Sequence, residues 1–199
     1  MDMKTSICSY GAAETILNDG AMIALAHYYN LPVFCTAGCS DAQVFDQQAG
    51  IEAGFSILLL GLAGGNLIHD LGYIGAGMTS SLEMLVLGNE TAGMVKQVLK
   101  GIEISPLTKA IELIKSVGPG GHFLTEDHTL EHFRTHLSFS GLMNRYNYDR
   151  WKETGAVDFG QRANSKMREI LETHEVESLP PDIIKKIQSI TAELNSKSP

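Results

Sequence analysis

No apolar run in this chain is long enough to cross a membrane. The longest, Ile57 to Ala63, falls far short of the roughly 20 residues a spanning helix needs. Met1 to Ser9 has no apolar centre followed by a cleavage site, so it does not read as a signal peptide. Cysteine is scarce and odd in number, at 3, which argues against a disulfide scaffold and fits a reducing cytoplasm. Basic residues are few: 15 Lys and Arg stand against 23 Asp and Glu, a formal charge of -8. That balance argues against nucleic acid or an anionic membrane as the main partner, and leaves a cationic ligand open. There is no repeat at solenoid spacing and no low-complexity tract beyond a tail expected to fray, Asn195 to Pro199. What remains is globular. The chain has 199 residues, 44% hydrophobic and 19% charged, enough to bury a core in one domain.

The chain is organised around residues 62–77, Leu-Ala-Gly-Gly-Asn-Leu-Ile-His-Asp-Leu-Gly-Tyr-Ile-Gly-Ala-Gly. A long apolar helix ends at Gly64-Gly65, where glycine takes the left-handed conformation without a clash. Asn66-Leu67-Ile68 reads as a short buried strand. His69 and Asp70 stand at its carboxyl end, followed by a glycine-loosened loop carrying Tyr73. Strand ends of this kind are where α/β folds place their chemistry, although a His-Asp pair also caps strands for purely structural reasons.

Taken in order, Met3 to Ser9 could form a strand. Ala12 to Tyr29 has helical periodicity and is stopped by Asn30 and Pro32. Leu31 to Thr36 reads as a strand running into the small-residue loop Ala37 to Asp41. Asp46 to Leu62 reads as a helix, apolar nearly all round at its end and therefore buried or partnered. Ser80 and Ser81 offer an N-cap for a helix to about Lys100. The alternation of strand and helix predicts parallel βαβ units. Beyond Gly101 the expected elements are helices: Pro106–Val117, Thr129–Leu137, Asp149–Thr154, Gln161–His174 and Asp182–Leu194. No strand is expected after about residue 126. So few βα units cannot close an eight-stranded barrel, which takes about 250 residues. The chain therefore reads as part of something longer.

Three local chemistries compete. Cys35 and Cys39 with His69 carry zinc-ligand chemistry, but zinc sites usually pair their cysteines more regularly, and buried lone cysteines mostly act as small hydrophobes. Gly72, Gly75 and Gly77 follow a strand without the spacing of a phosphate loop, and Gly118–Gly121 reads as a turn. His132 and His136 share a helix face, with His128 one turn earlier. His122 lies further upstream. Without an H-E-x-x-H pattern they read as a polar packing face. Tyr28, Tyr29 and Phe34 read as core or helix-edge residues.

Several longer stretches carry a family resemblance. They are LPVFCTAGCSDAQVFDQQAG at 31–50, AGGNLIHDLG at 63–72, SLEMLV at 81–86, VGPGGHFL at 117–124 and HTLEHFR at 128–134. Together they resemble the C-terminal portion of the trimethylamine methyltransferase (MttB-type) superfamily, whose members are substantially longer. The resemblance implies an α/β fold: the C-terminal part of a TIM (β/α)8 barrel with additional C-terminal helices. Residues 1–199 would form one partial-barrel domain, with βα units to about 126 and helices from about 127.

It also implies an enzyme that passes a methyl group from a tertiary or quaternary methylamine to the Co(I) corrinoid (cobalamin) of a partner protein. Only standard residues occur in the chain, which resembles the non-pyrrolysine, glycine betaine-like branch. No metal would be bound directly. Co(I) is itself the nucleophile, so the protein's tasks are orientation and electrostatics. His69 is the leading site residue, meeting or orienting a substrate carboxylate. Asp70 would fix His69, Tyr73 and Tyr10 would contact the cation, and Asp41 would be a further polar contact. Exposed barrel edges would favour a homo-oligomer. Two other readings stand beside this one: a non-catalytic module whose C-terminal helices dock a corrinoid protein or another copy, and a zinc-dependent methyltransferase.

Overall fold

The computed structural model describes residues 1–197. They fall into two compact units, Met1–Met167 and Arg168 onward. The first unit opens on a turn, not on the strand expected at Met3 to Ser9. The Asp2 carboxylate accepts from Lys4 N at 2.9 Å and from the Thr5 hydroxyl at 2.8 Å. Ser6 then takes a φ of 58°, which folds the chain back on itself. Local side-chain hydrogen bonds outcompete strand pairing here.

Helix α1 (Ala13–Tyr28) buries Ile16 and Ile23 and stops where Asn30 turns left-handed. Strand β1 (Phe34–Thr36) leads through a loop to Asp46, whose carboxylate caps helix α2 (Gln47–Leu62) by accepting from Ala49 N at 3.2 Å. Strand β2 (Leu67–His69) follows and pairs parallel with β1 in the register Phe34↔Leu67, Cys35↔Ile68, Thr36↔His69. β1, α2 and β2 make one βαβ unit where three strand–helix units were expected. Strand β2 is also not buried, since Leu67 is 58% exposed. Cys35 and Ile68 face the core; Phe34, Thr36, Leu67 and His69 share the other face, as period-2 alternation requires.

A hairpin that the glycine spacing had concealed comes next. Strands β3 (Tyr73–Ile74) and β4 (Thr79–Ser80) pair antiparallel around Gly75, Ala76 and Gly77, all with positive φ. Ser81 caps helix α3 (Leu82–Leu99), its hydroxyl accepting from Met84 N at 3.1 Å. α3 lies against α2 so closely that a Cβ on Gly61 would stand 2.9 Å from Val95 Cγ1. Two apolar clusters result. Ile16, Ile23, Cys35, Ile57, Leu60 and Val95 form one, and Ala49, Ala53, Ile74, Met84 and Leu87 belong to the other. One side of α2 stays open, with Ile51, Phe55 and Leu62 exposed.

The expected helix over 106–117 is divided at Ala110, which takes φ 46°, into α4 (Pro106–Lys109) and α5 (Ile111–Val117). α6 (Asp127–His136) and α7 (Tyr148–Glu153) complete this part of the first unit. α8 (Phe159–Thr173) begins in the first unit and continues into the second, which also holds α9 (Pro181–Lys197). Among the described residues no strand follows Ser80. α9 stays helical through Lys197 where a frayed tail was expected; Ser198 and Pro199 lie outside the described residues.

Candidate functional site

The carboxyl ends of β1 and β2 extend into two loops that clasp each other. Ala37 N donates to His69 O at 3.0 Å and Ser40 N to Tyr73 O at 3.0 Å. The clasp sets the geometry of the His-Asp pair. His69 Nδ1 lies 2.8 Å from Asp70 Oδ1, and the imidazole stacks on Phe34 with ring centroids 3.6 Å apart. The Thr36 hydroxyl donates to Asp70 Oδ2 at 3.2 Å and stands 3.4 Å from His69 Nε2. Asp70 itself takes φ 72°, a left-handed conformation that asparagine and aspartate tolerate better than most residues. Phe34, expected in the core or at a helix edge, is 61% exposed on β1 and serves as the platform for His69.

Beside this pair is a cleft of about 240 Å³ lined by Tyr10, Cys39, Asp70, Tyr73 and the hairpin turn Ala76 to Met78. The Tyr10 ring reaches across to Gly77, where an added Cβ would stand 3.5 Å from Tyr10 Cε2. Three of the anticipated site residues, Tyr10, Asp70 and Tyr73, therefore meet in one place. Two do not line it. His69 touches the cleft's Asp70 without lining the cleft itself. Asp41 uses both carboxylate oxygens on backbone: Oδ1 accepts from Tyr10 N at 2.9 Å and Oδ2 from Gly11 N at 3.2 Å. Asp41 thus moors the segment that carries Tyr10.

The electrostatics of the cleft are those of buried acids. Burial, seconded by the Asp70 charge, pushes the Cys39 thiol up to about 11, so at neutral pH it is a neutral thiol and no nucleophile. Burial also raises the Asp41 carboxyl, against the hydrogen bond from the Tyr10 amide. Glu52 lies beneath, accepting from the Ser40 hydroxyl and from Asp41 N at 2.8 Å. It is the lone charged residue of α2, and that isolation is its signal in the sequence. Asp19 on α1 is another addition. Burial raises its carboxyl while the charge of His69 draws it down. A polar residue on a helix facing a strand end has no sequence signature of its own.

The other clusters are structural in geometry. The rings of His128, His132 and His136 follow one another at 4.7 and 5.7 Å along α6, and His128 Nε2 stands 3.0 Å from Leu107 O. Cys35 and Cys39 are buried free thiols. Among the described residues no group of three or more His, Cys, Asp or Glu side chains is placed to hold a metal ion.

The sequence pattern of the family described as trimethylamine methyltransferase (MTTB) matches residues 1–198. The chain belongs to this family. It is 38% identical over 193 residues to the trimethylamine methyltransferase MttB of Desulfitobacterium hafniense, covering 97% of this chain and 39% of that protein. It is 37% identical to the trimethylamine methyltransferase MttB2 of Methanosarcina mazei, over 95% of this chain and 38% of that one. A glycine betaine methyltransferase of Desulfitobacterium hafniense is 32% identical, over 96% of this chain and 40% of its own length. The chain thus spans about two fifths of the length of the curated relatives it matches. Its family match takes in the whole of the cleft and both loops that build it.

Proposed function

We propose that this chain is part of a methyltransferase that moves a methyl group from a methylated or quaternary amine to the Co(I) corrinoid of a partner protein. In this reading it supplies the wall of the substrate site that faces the cation. The observation that carries it is the convergence of Tyr10, Tyr73 and Asp70 on one small cleft. Two aromatic rings and a carboxylate are the chemistry a methylated ammonium selects. The ring faces attract the cation, and the carboxylate supplies the opposite charge in a partly desolvated place. Asp41 moors Tyr10 from behind, and His69 holds the Asp70 carboxylate by its Nδ1. A substrate carrying its own carboxylate, as glycine betaine does, would meet His69 next.

The cleft is smaller than the roughly 300 Å³ at which pockets for drug-sized ligands begin. A small amine fits it; a corrinoid macrocycle does not, which agrees with a corrinoid borne by a partner and presented at the cleft mouth. When bound, the corrinoid supplies the nucleophile. The chain's own residues then hold the ammonium with one methyl outward and exclude water from its other faces. The open face of the β1–β2 pair, with Phe34 and Leu67 exposed, fits a section of a TIM barrel completed by further strands. Three free thiols are in keeping with a cytoplasmic protein.

The test is methyl transfer from trimethylamine and from glycine betaine to free cob(I)alamin, followed by absorbance. This chain and a version of the relatives' full length are assayed side by side. The full-length form should be active, and Tyr73→Leu and Asp70→Asn should each raise KM at least about tenfold. Parent kinetics in both variants would remove the cleft from the substrate site.

A further inference from the structure

Asp70 lies one residue past β2 with a left-handed backbone, so no ladder bond of the sheet orients its carboxylate. Side chains do that instead. His69 Nδ1 holds Oδ1 at 2.8 Å, and the Thr36 hydroxyl donates to Oδ2 at 3.2 Å. Both holders are themselves fixed. Thr36 and His69 are register partners at the ends of β1 and β2, and the bond from Ala37 N to His69 O locks that register one step further on. The imidazole is held in plane by Phe34, whose ring lies within 10° of parallel to it. Thr36 is β-branched, so few χ1 rotamers are open to it. Its hydroxyl oxygen also stands 3.4 Å from His69 Nε2, which closes the three side chains into a ring of contacts.

We propose that Thr36 is a positioning residue of the cleft. By pinning the Asp70 oxygen that His69 leaves, it sets the direction in which the carboxylate meets a cation. An ionised carboxylate offers about four lone-pair sites. His69 and Thr36 take one on each oxygen and leave one on each for the cleft. A carboxylate held by one oxygen alone swings about its terminal torsion, which is broad and two-fold. The His69 and Asp70 side chains are 28 and 33% exposed, so water can replace a lost donor and the fold survives its loss. Water does not fix the direction. In the amine site proposed above, on which this role depends, that direction is what a bound ammonium meets, and setting it beforehand spares the cost of setting it on binding. The acting part is the hydroxyl. Valine keeps the shape of Thr36 and loses the donor; serine keeps the donor and loses the methyl.

Two readouts test this. In a version of the relatives' full length, methyl transfer from trimethylamine to free cob(I)alamin is followed for Thr36→Val, Thr36→Ser and Asp70→Asn. Thr36→Val should raise KM about tenfold and leave kcat within about twofold, because the bond is charge-assisted and acts on binding. Thr36→Ser should stay within about threefold of the parent KM. The second readout needs no substrate and uses this chain as it stands. The proton on His69 Nδ1, held against Asp70, should give a resolved downfield magnetic-resonance signal, assigned by its loss in His69→Gln. Thr36→Val should broaden that signal while the backbone amide spectrum away from β1 and β2 is unchanged, and Thr36→Ser should keep it. Equal losses in KM for Val and Ser would make the shape of Thr36, not its hydroxyl, what matters, and overturn the proposal. A sharp Nδ1 proton in Thr36→Val overturns it too. So does a parent KM in Thr36→Val beside a raised KM in Asp70→Asn, which leaves the cleft as the amine site. Parent kinetics in both of those variants would remove the amine site itself, and the role of Thr36 with it.

Discussion

Residues 13–99 and residues 100–197 are both mainly helical, and they are held in different ways. In the first stretch the buried apolar side chains gather into two clusters around α2, from Ile16 to Val95. In the second, among the described residues, Leu142 and Ala163 are the buried apolar residues. Much of its local order is written in short-range hydrogen bonds, with Phe159 and Asn164 reaching back to the first stretch. Ser105 and Thr108 cap each other's backbone, Asn147 accepts from Arg150 N at 3.0 Å, and Asp158 and Gln161 bond reciprocally. Such bonds fix local shape but add only about 0.5–1.5 kcal/mol each. The first stretch can therefore support a positioned site. Among the described residues, the second buries few apolar side chains and has no comparable cluster to hold one.

The largest effect that sharpens this contrast is a cavity. Leu60 is fully buried between α1, α2 and the strands. Leu60→Ala should lower the free energy of urea unfolding by about 2–5 kcal/mol. Ile111→Ala, on a residue 53% exposed, should stay within about 0.5 kcal/mol. Equal losses at the two positions would dissolve the distinction between the stretches.

Next in size is the support under the cleft. Glu52→Ala leaves the Ser40 hydroxyl and Asp41 N without their acceptor, and should cost about 1–3 kcal/mol. It should also loosen Tyr10, seen as a loss of the ring's near-ultraviolet dichroism. Glu153→Ala, which breaks an exposed pair with Arg150 at 3.3 Å, should cost no more than about 0.5 kcal/mol.

Helix caps test the two stretches at equal chemistry. Asp46→Ala and Asn147→Ala each remove one capping bond, worth about 1 kcal/mol. The first should shift the global urea midpoint, because α2 is the hub of both clusters. The second should instead speed hydrogen exchange within α7 and leave the midpoint in place. A global shift from Asn147→Ala would show that the second stretch is cooperative with the first.

The same contrast governs what could be read from the sequence. Helices with capping residues and apolar periodicity were legible in both stretches: Asp46, Ser81 and Asp182 mark starts that the structure keeps within a residue or so. The β1–β2 strands were legible because α2 between them is long and apolar. Met3 to Ser9 misled because its alternation is ordinary while Asp2 captures the backbone. The β3–β4 hairpin was hidden because its strands are two residues each, below any periodicity. At the candidate site, His69, Asp70, Tyr73 and Tyr10 stood out by their places at the ends of expected strands. Thr36, Glu52 and Asp19 did not, since what they do depends on register and on helix packing.

The smallest effect concerns Asp19, and its sign can be worked out. Burial holds its carboxyl above the ordinary value near 3.8, with the charge of His69 only partly offsetting this. The folded state then keeps its proton at a pH where the unfolded state has lost it. Stability from this group is complete below the ordinary carboxylate value and falls as pH rises through the higher folded value. Asp19→Asn cannot ionise, so it should match the parent at the acid end and exceed it at pH 7. The measurement is the difference in urea midpoint between the two proteins, followed upward from pH 3.5. Asp41 contributes a slope of the same sign to both and cancels in the difference. A difference that is flat with pH would mean that Asp19 is fully hydrated. A difference that runs the other way would mean that the His69 charge outweighs burial, and would make Asp19 a stabilising member of the His69–Asp70 network.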